Sequence, residues 1–173
     1  MKTYSKIVFY IFTITLFQCC SNDQTHDDTG KQFSSAPDFI LKTLEGKDFS
    51  AKELKGKVVI IDFWATWCQP CIQEIPSYNA LYNKYKDANF VLVGITMNSG
   101  TVENIKSFVD KFKVEYPIYL GDEKVISGFG GIQGFPTTFI IDQNWKIHKK
   151  YLGTHPAKVK EIEKIITKLL EKN

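Results

Sequence analysis

The sequence carries little net charge. It has 22 Lys and Arg residues against 19 Asp and Glu residues, and two of the lysines, Lys2 and Lys6, lie within the first 18 positions. Beyond position 18 the balance is therefore 20 basic to 19 acidic residues. A chain this close to neutral offers no electrostatic case for nucleic acid as a partner.

The sequence also offers no transmembrane span near its start. Residues 7–17 form an apolar run of eleven positions, whereas crossing a bilayer takes about 20. The run follows Lys2 and Lys6, and this order of positive charge before a short apolar stretch is typical of a secretory signal. We therefore predict that residues 1–18 are a signal peptide and that the protein is exported.

The apolar run ends in a sequence that resembles a bacterial lipobox, Leu16-Phe17-Gln18-Cys19. This resemblance implies a lipoprotein whose anchor is attached to Cys19. Gln18 departs from the small residue usual before the lipidated cysteine, so lipidation of Cys20 and simple signal cleavage stay open. Residues 19–36 are mostly polar and are predicted to be a flexible tether, and the folded domain is predicted at residues 37–173.

Cysteine is scarce, with four residues in the chain. Apart from Cys19 and Cys20, the chain holds only Cys68 and Cys71, which are too close in sequence to staple a domain of this size. Disulfides persist outside the cytosol, where we predict this protein to be. A single closely spaced pair that does not stabilise the domain therefore indicates redox chemistry. A zinc site would need two more ligands, and the three histidines are isolated, so we predict neither a metal nor another cofactor.

The patterning of the domain alternates between strands and helices. A short N-terminal hairpin precedes a nearly continuous apolar run, Val58–Trp64, which is typical of a strand buried on both faces and which contains Asp62. Helical periodicity follows at residues 70–86 and 101–112, and a last helix is predicted from Pro156. This alternation predicts an α/β fold with a central mixed sheet and helices on both faces.

The cysteine pair lies where the buried strand gives way to the first helix. Free backbone N–H groups and the positive end of the helix dipole at that position stabilise a thiolate, so Cys68 is the predicted nucleophile. Cys71 lies one turn deeper, is expected to be less exposed and to keep its proton, and is the predicted resolving thiol.

The segment from Asp62 to Cys71, which reads DFWATWCQPC, resembles the thioredoxin superfamily, as does the later GFPTT around Pro136. The predicted export, the hairpin and the extra segment at residues 98–130 make the chain similar to the TlpA/ResA-like branch. That branch holds membrane-attached thiol–disulfide oxidoreductases of the bacterial envelope, several of which serve cytochrome c maturation.

The resemblance implies roles for further residues. Asp62 matches the buried acid that exchanges a proton with the resolving cysteine, and Glu74 matches a glutamate that tunes the active-site thiols, although an ordinary exposed helix position fits Glu74 equally well. Pro136 matches the cis-proline facing the active site. Phe135 is then expected to offer backbone groups to a substrate strand, and Trp67 to cover the disulfide or contact partners.

The sequence thus predicts an envelope reductase of protein disulfides, recharged by a membrane thiol electron donor. Two alternatives stay open. One is a thiol peroxidase on the same fold, although residues 62–66 lack the Pro-x-x-x-Thr pattern of peroxiredoxins. The other is a thioredoxin-fold binding module without catalysis, which the intact cysteine pair disfavours.

Overall fold

The structure is a computed structural model that describes residues 34–171. Within that range seven strands and four α-helices alternate along the chain. The strands are β1 (Ile40–Thr43), β2 (Asp48–Ser50), β3 (Val58–Trp64), β4 (Phe90–Thr96), β5 (Ile118–Leu120), β6 (Thr137–Ile141) and β7 (Ile147–Leu152). The helices are α1 (Gln69–Tyr85), α2 (Val102–Phe112), α3 (Glu123–Gly128) and α4 (Lys158–Leu170), and a short 3-10 helix spans Ala51–Leu54.

The seven strands form one mixed sheet in the order β2-β1-β5-β4-β3-β6-β7. β3 pairs in parallel with β4 and antiparallel with β6, while the β1–β2 hairpin joins the sheet through β5. The predicted α/β fold, with its mixed sheet and N-terminal hairpin, is confirmed. Residues before position 37 also pair with the chain around the start of β7. The N–H of Ile147 donates to the carbonyl of Ser34, and the N–H of Ala36 donates to the carbonyl of Trp145. The boundary at residue 37 stays a prediction.

Side chains of β3 alternate between two apolar layers. Val59, Ile61 and Phe63 pack on the face covered by the 3-10 helix and α3. Val58 and Ile60 point to the opposite face, which α1 and α4 cover. Asp62 shares the parity of Val58 and Ile60, so its carboxyl enters the layer beneath α1.

Candidate active site

The two cysteines lie at the start of α1 and form a disulfide. Cys68 is the N-cap residue of the helix, and its Sγ accepts a hydrogen bond of 3.3 Å from the N–H of Cys71. A sulfur in this position faces the free N–H groups and the positive dipole end of α1, which favour a thiolate over a thiol. The geometry therefore places Cys68 where a stabilised thiolate would form on reduction.

Exposure does not distinguish the two cysteines. The helix position predicts that Cys71 is the less exposed of the two, and the values are nearly equal, with Cys68 5% exposed and Cys71 4% exposed. Both residues belong to the apolar layer between the sheet and α1, and the partly buried Phe135 packs against that layer. In the disulfide form the difference between the two residues lies in their position relative to the helix N-terminus.

Asp62 is buried, at 2% exposure. The hydroxyl of Thr138 donates to its Oδ1 at 2.7 Å, and the Tyr78 hydroxyl lies 3.0 Å from the same Thr138 oxygen. Since Thr138 has one proton to give, Tyr78 donates to Thr138 and Thr138 donates to Asp62. Burial raises the pKa of Asp62 from an ordinary 3.8 to about 7, against the opposing effects of the Lys158 charge and the Thr138 hydrogen bond.

Glu74 is buried, at 6% exposure, which excludes the ordinary exposed helix position for it. The hydroxyl of Thr154 donates to its Oε1 at 2.7 Å and the ammonium of Lys158 donates to its Oε2 at 2.8 Å. No side chain caps α4, whose N-cap residue is Ala157. That helix begins at Lys158, two residues after the predicted start at Pro156.

Two aromatic side chains stand at the rim of the site. Trp67 is 61% exposed, its Nε1 donates to the carbonyl of Asn98 at 3.0 Å, and its ring meets that of Phe135 edge-on with centroids 5.8 Å apart. The Phe135–Pro136 peptide bond is cis. Within residues 34–171 no hydrogen bond uses the backbone N–H or carbonyl of Phe135.

The sequence analysis missed Lys158, Thr138 and Thr154. Lys158 is fully buried, and a signal for it exists in the sequence. It falls in line with Ile162, Ile166 and Leu169, the buried stripe of α4. A lysine on such a stripe needs a buried anion as its partner, because an unpaired charge in an apolar layer is costly. Thr138 carries no comparable signal.

The predicted lipidation sites Cys19 and Cys20 lie outside the described residues. Among residues 34–171, no group of three or more His, Cys, Asp or Glu side chains could hold a metal ion. The prediction of no cofactor is left as a prediction.

A family model described as the AhpC/TSA family matches residues 34–150. Among curated proteins, thiol–disulfide oxidoreductase ResA of Bacillus thuringiensis is 34% identical over 80% of this chain and 78% of its own length. The thioredoxin-like protein YneN of Bacillus subtilis is 36% identical over 84% of each chain.

The similar solved structures are also thiol–disulfide exchange proteins of the thioredoxin type. A thiol:disulfide interchange protein of the thioredoxin family from Chlorobium tepidum superposes with a TM-score of 0.71 at 32% identity, covering 81% of this chain and 98% of the other. The thioredoxin domain of a thiol–disulfide oxidoreductase from Bacteroides vulgatus gives a TM-score of 0.68 at 28% identity, with coverage of 77% and 96%.

Proposed function

Since this chain belongs to the AhpC/TSA family of thioredoxin-like proteins and is a thiol–disulfide oxidoreductase, we propose that it reduces disulfides of proteins in the bacterial envelope. The observation that carries the proposal is the Cys68–Cys71 disulfide at the N-terminus of α1, in a domain that also buries the carboxyl of Asp62. The two cysteine sulfurs exchange electrons with the substrate disulfide, and Asp62 accepts the proton of Cys71.

The reaction transfers two electrons in two exchanges. The Cys68 thiolate attacks one sulfur of the substrate disulfide, forming a mixed disulfide and releasing a substrate thiolate. Cys71 then loses its proton, attacks the sulfur of Cys68 and releases the second substrate thiolate. The substrate ends as a dithiol, the enzyme ends with its Cys68–Cys71 disulfide, and a membrane dithiol donor returns it to the reduced form.

Asp62 is the base proposed for the second exchange. A carboxyl whose pKa is about 7 is present in both protonation states near neutral pH, so it can accept the proton of Cys71 and later release it. Tyr78 lies on the same buried face of α1 as Cys71, and through Thr138 it connects that face to Asp62. Glu74, fixed on the same helix face, is proposed to tune these thiols.

Trp67, Phe135 and Pro136 are proposed to bind the substrate. The exposed Trp67 ring and the neighbouring Phe135 ring form an apolar rim beside the disulfide. The backbone of Phe135 has hydrogen-bonding groups available to an extended substrate segment. A protein disulfide would then lie across the rim with its sulfur next to Cys68.

We expect the purified, reduced protein to reduce insulin disulfides and to consume no hydrogen peroxide beyond the background of free thiols. Measuring both reactions on one preparation separates the proposal from its alternatives. Peroxide consumption without insulin reduction would favour a thiol peroxidase, whereas neither activity would favour a binding module. The Cys68→Ser variant is the matched control, since it should lose the activity of the parent.

The proposed location in the envelope rests on residues 1–36. We interpret residues 1–18 as a signal peptide and residues 19–36 as a lipidated tether. No helix among residues 34–171 is long and apolar enough to cross a bilayer. Envelope export and the TlpA/ResA-like resemblance support disulfides of cytochrome c maturation as substrates. The same two features favour reduction of the substrate disulfide over its formation.

Cells fed labelled fatty acid should incorporate the label into this protein. The Cys19→Ser variant should lose the label and appear in the soluble fraction, because the thiol that carries the lipid is gone. Label retained in Cys19→Ser but lost in Cys20→Ser would move the anchor to Cys20. An unlabelled parent would contradict the lipoprotein proposal and leave a soluble exported enzyme.

A further inference from the structure

Lys158 is a lysine with no exposed surface, on the face of α4 that packs towards the sheet and α1. Its ammonium lies 2.8 Å from Oε2 of Glu74 and 5.8 Å from the centroid of the Tyr78 ring. Lysine is almost never fully buried unless it is paired, so Glu74 accounts for its presence in this layer. The pair places one positive and one negative charge inside the layer that also holds Asp62.

The ionisable groups that face Asp62 come from three parts of the chain. α1 supplies Glu74 and Tyr78, the segment before β5 supplies Tyr116, and α4 supplies Lys158. Burial raises the pKa of both tyrosines well above 10, so their hydroxyls stay neutral near neutral pH. The charges that act on Asp62 there are those of Lys158 and Glu74.

We propose that Lys158 is a positioning residue that gives the two buried carboxyls different roles. It holds Glu74 in a fixed ion pair, so that Asp62 is the carboxyl that exchanges a proton with Cys71. This inference rests on the proposed function, because it assumes that Asp62 serves the thiols.

The two charges of the pair act on Asp62 with opposite signs. The positive charge of Lys158 favours the ionised carboxylate and lowers the pKa of Asp62, while the negative charge of Glu74 raises it. Lys158 has the larger effect of the two, and burial exceeds both. The pKa near 7 is therefore a balance, because burial raises the pKa of Asp62 and the positive charge of Lys158, on a helix far away in sequence, limits that rise.

The test compares two charge-neutralising variants, Lys158→Met and Glu74→Gln, in the oxidised protein. Both cysteines are then in the disulfide and do not titrate, so the side-chain ¹³C shift of Asp62 reports that carboxyl directly. Its signal is identified by its absence in Asp62→Asn. We expect the midpoint to rise by about one pH unit in Lys158→Met and to fall by less than that in Glu74→Gln, because Lys158 has the larger effect.

The control is Lys160→Met, which removes an exposed lysine of the same helix and should leave the midpoint of Asp62 unchanged. If Lys158→Met does not fold, the double variant Lys158→Met/Glu74→Gln removes both charges together. Its midpoint should lie above that of the parent, because the lowering effect of Lys158 that is lost exceeds the raising effect of Glu74 that is lost with it. Midpoints that stay at the parent's value, or that move in the same direction in both single variants, would overturn the proposal.

A second readout separates this inference from the proposed function. The pH dependence of insulin reduction should shift with the midpoint of Asp62, upward in Lys158→Met and downward in Glu74→Gln. A loss of packing alone would lower the rate without moving the profile in opposite directions. Opposite carboxyl shifts with an unmoved activity profile would overturn the assignment of proton exchange to Asp62, while insulin reduction through Cys68 and Cys71 would still stand.

Discussion

Asp62→Asn should be more stable than the parent by about 4 kcal/mol at neutral pH, although it resolves mixed disulfides more slowly. Burial raises the pKa of Asp62 from 3.8 to about 7, a shift of roughly three units at about 1.4 kcal/mol each. Asparagine has nearly the same shape, and its amide oxygen can still accept the hydrogen bond of Thr138. The substitution thus removes the cost of ionising a buried carboxyl.

The advantage should depend on pH in a defined window. Between about pH 4 and pH 7 the folded parent binds more protons than the unfolded chain, because the folded pKa of Asp62 is the higher one. The free energy of unfolding of the parent therefore falls as the pH rises through this window and levels off above it. In Asp62→Asn this fall is absent, so the two proteins should be equally stable below pH 4.

Denaturant unfolding of the oxidised proteins at pH 4 and pH 8 measures this difference. Asp87→Asn is the matched control, since Asp87 is exposed and its replacement should change stability little at either pH. A variant that gains nothing at pH 8 relative to pH 4 would contradict the raised pKa and would remove the argument for Asp62 as a base.

The elements that place the cysteines follow from local sequence. The apolar run Val58–Trp64 predicts β3, and alternation along the strand fixes the face that Asp62 shares with Val58 and Ile60. The helix start at Cys68 follows from the end of that strand and the helical periodicity behind it. These features depend on residues within about ten positions of one another, which is the range over which patterning is informative.

The partners of the buried carboxyls do not follow from local sequence. Thr138 meets Asp62 because β6 pairs with β3 in a register that sets these two residues opposite each other, 76 positions apart. Lys158 meets Glu74 across 84 positions, because α4 packs beside α1. Helical spacing places Glu74 on the same side of α1 as Cys71, but only the packing of α4 decides that it is buried and paired.

The second large effect concerns Cys71→Ser, which should lose catalytic turnover and accumulate mixed disulfides in cells. Cys68 remains able to attack a substrate, but serine supplies no thiol to release it. The captured species should disappear on addition of reductant and should be absent in Cys68→Ser. Cytochrome c apoproteins or their maturation factors among the captured proteins would support the narrower substrate proposal, whereas a broad set of secreted proteins would favour a general disulfide reductase or isomerase.

Mapping the cross-linked peptides of the Cys71→Ser complexes tests the division of roles between the two cysteines most directly. Mass spectrometry without reduction identifies which cysteine of this chain is bonded to the partner. The position of Cys68 at the N-terminus of α1 predicts that the partner sulfur is joined to Cys68. Partner proteins joined to Cys19 or Cys20 would contradict this prediction. So would the reverse pattern, in which Cys68→Ser captures partners through Cys71 and Cys71→Ser captures none.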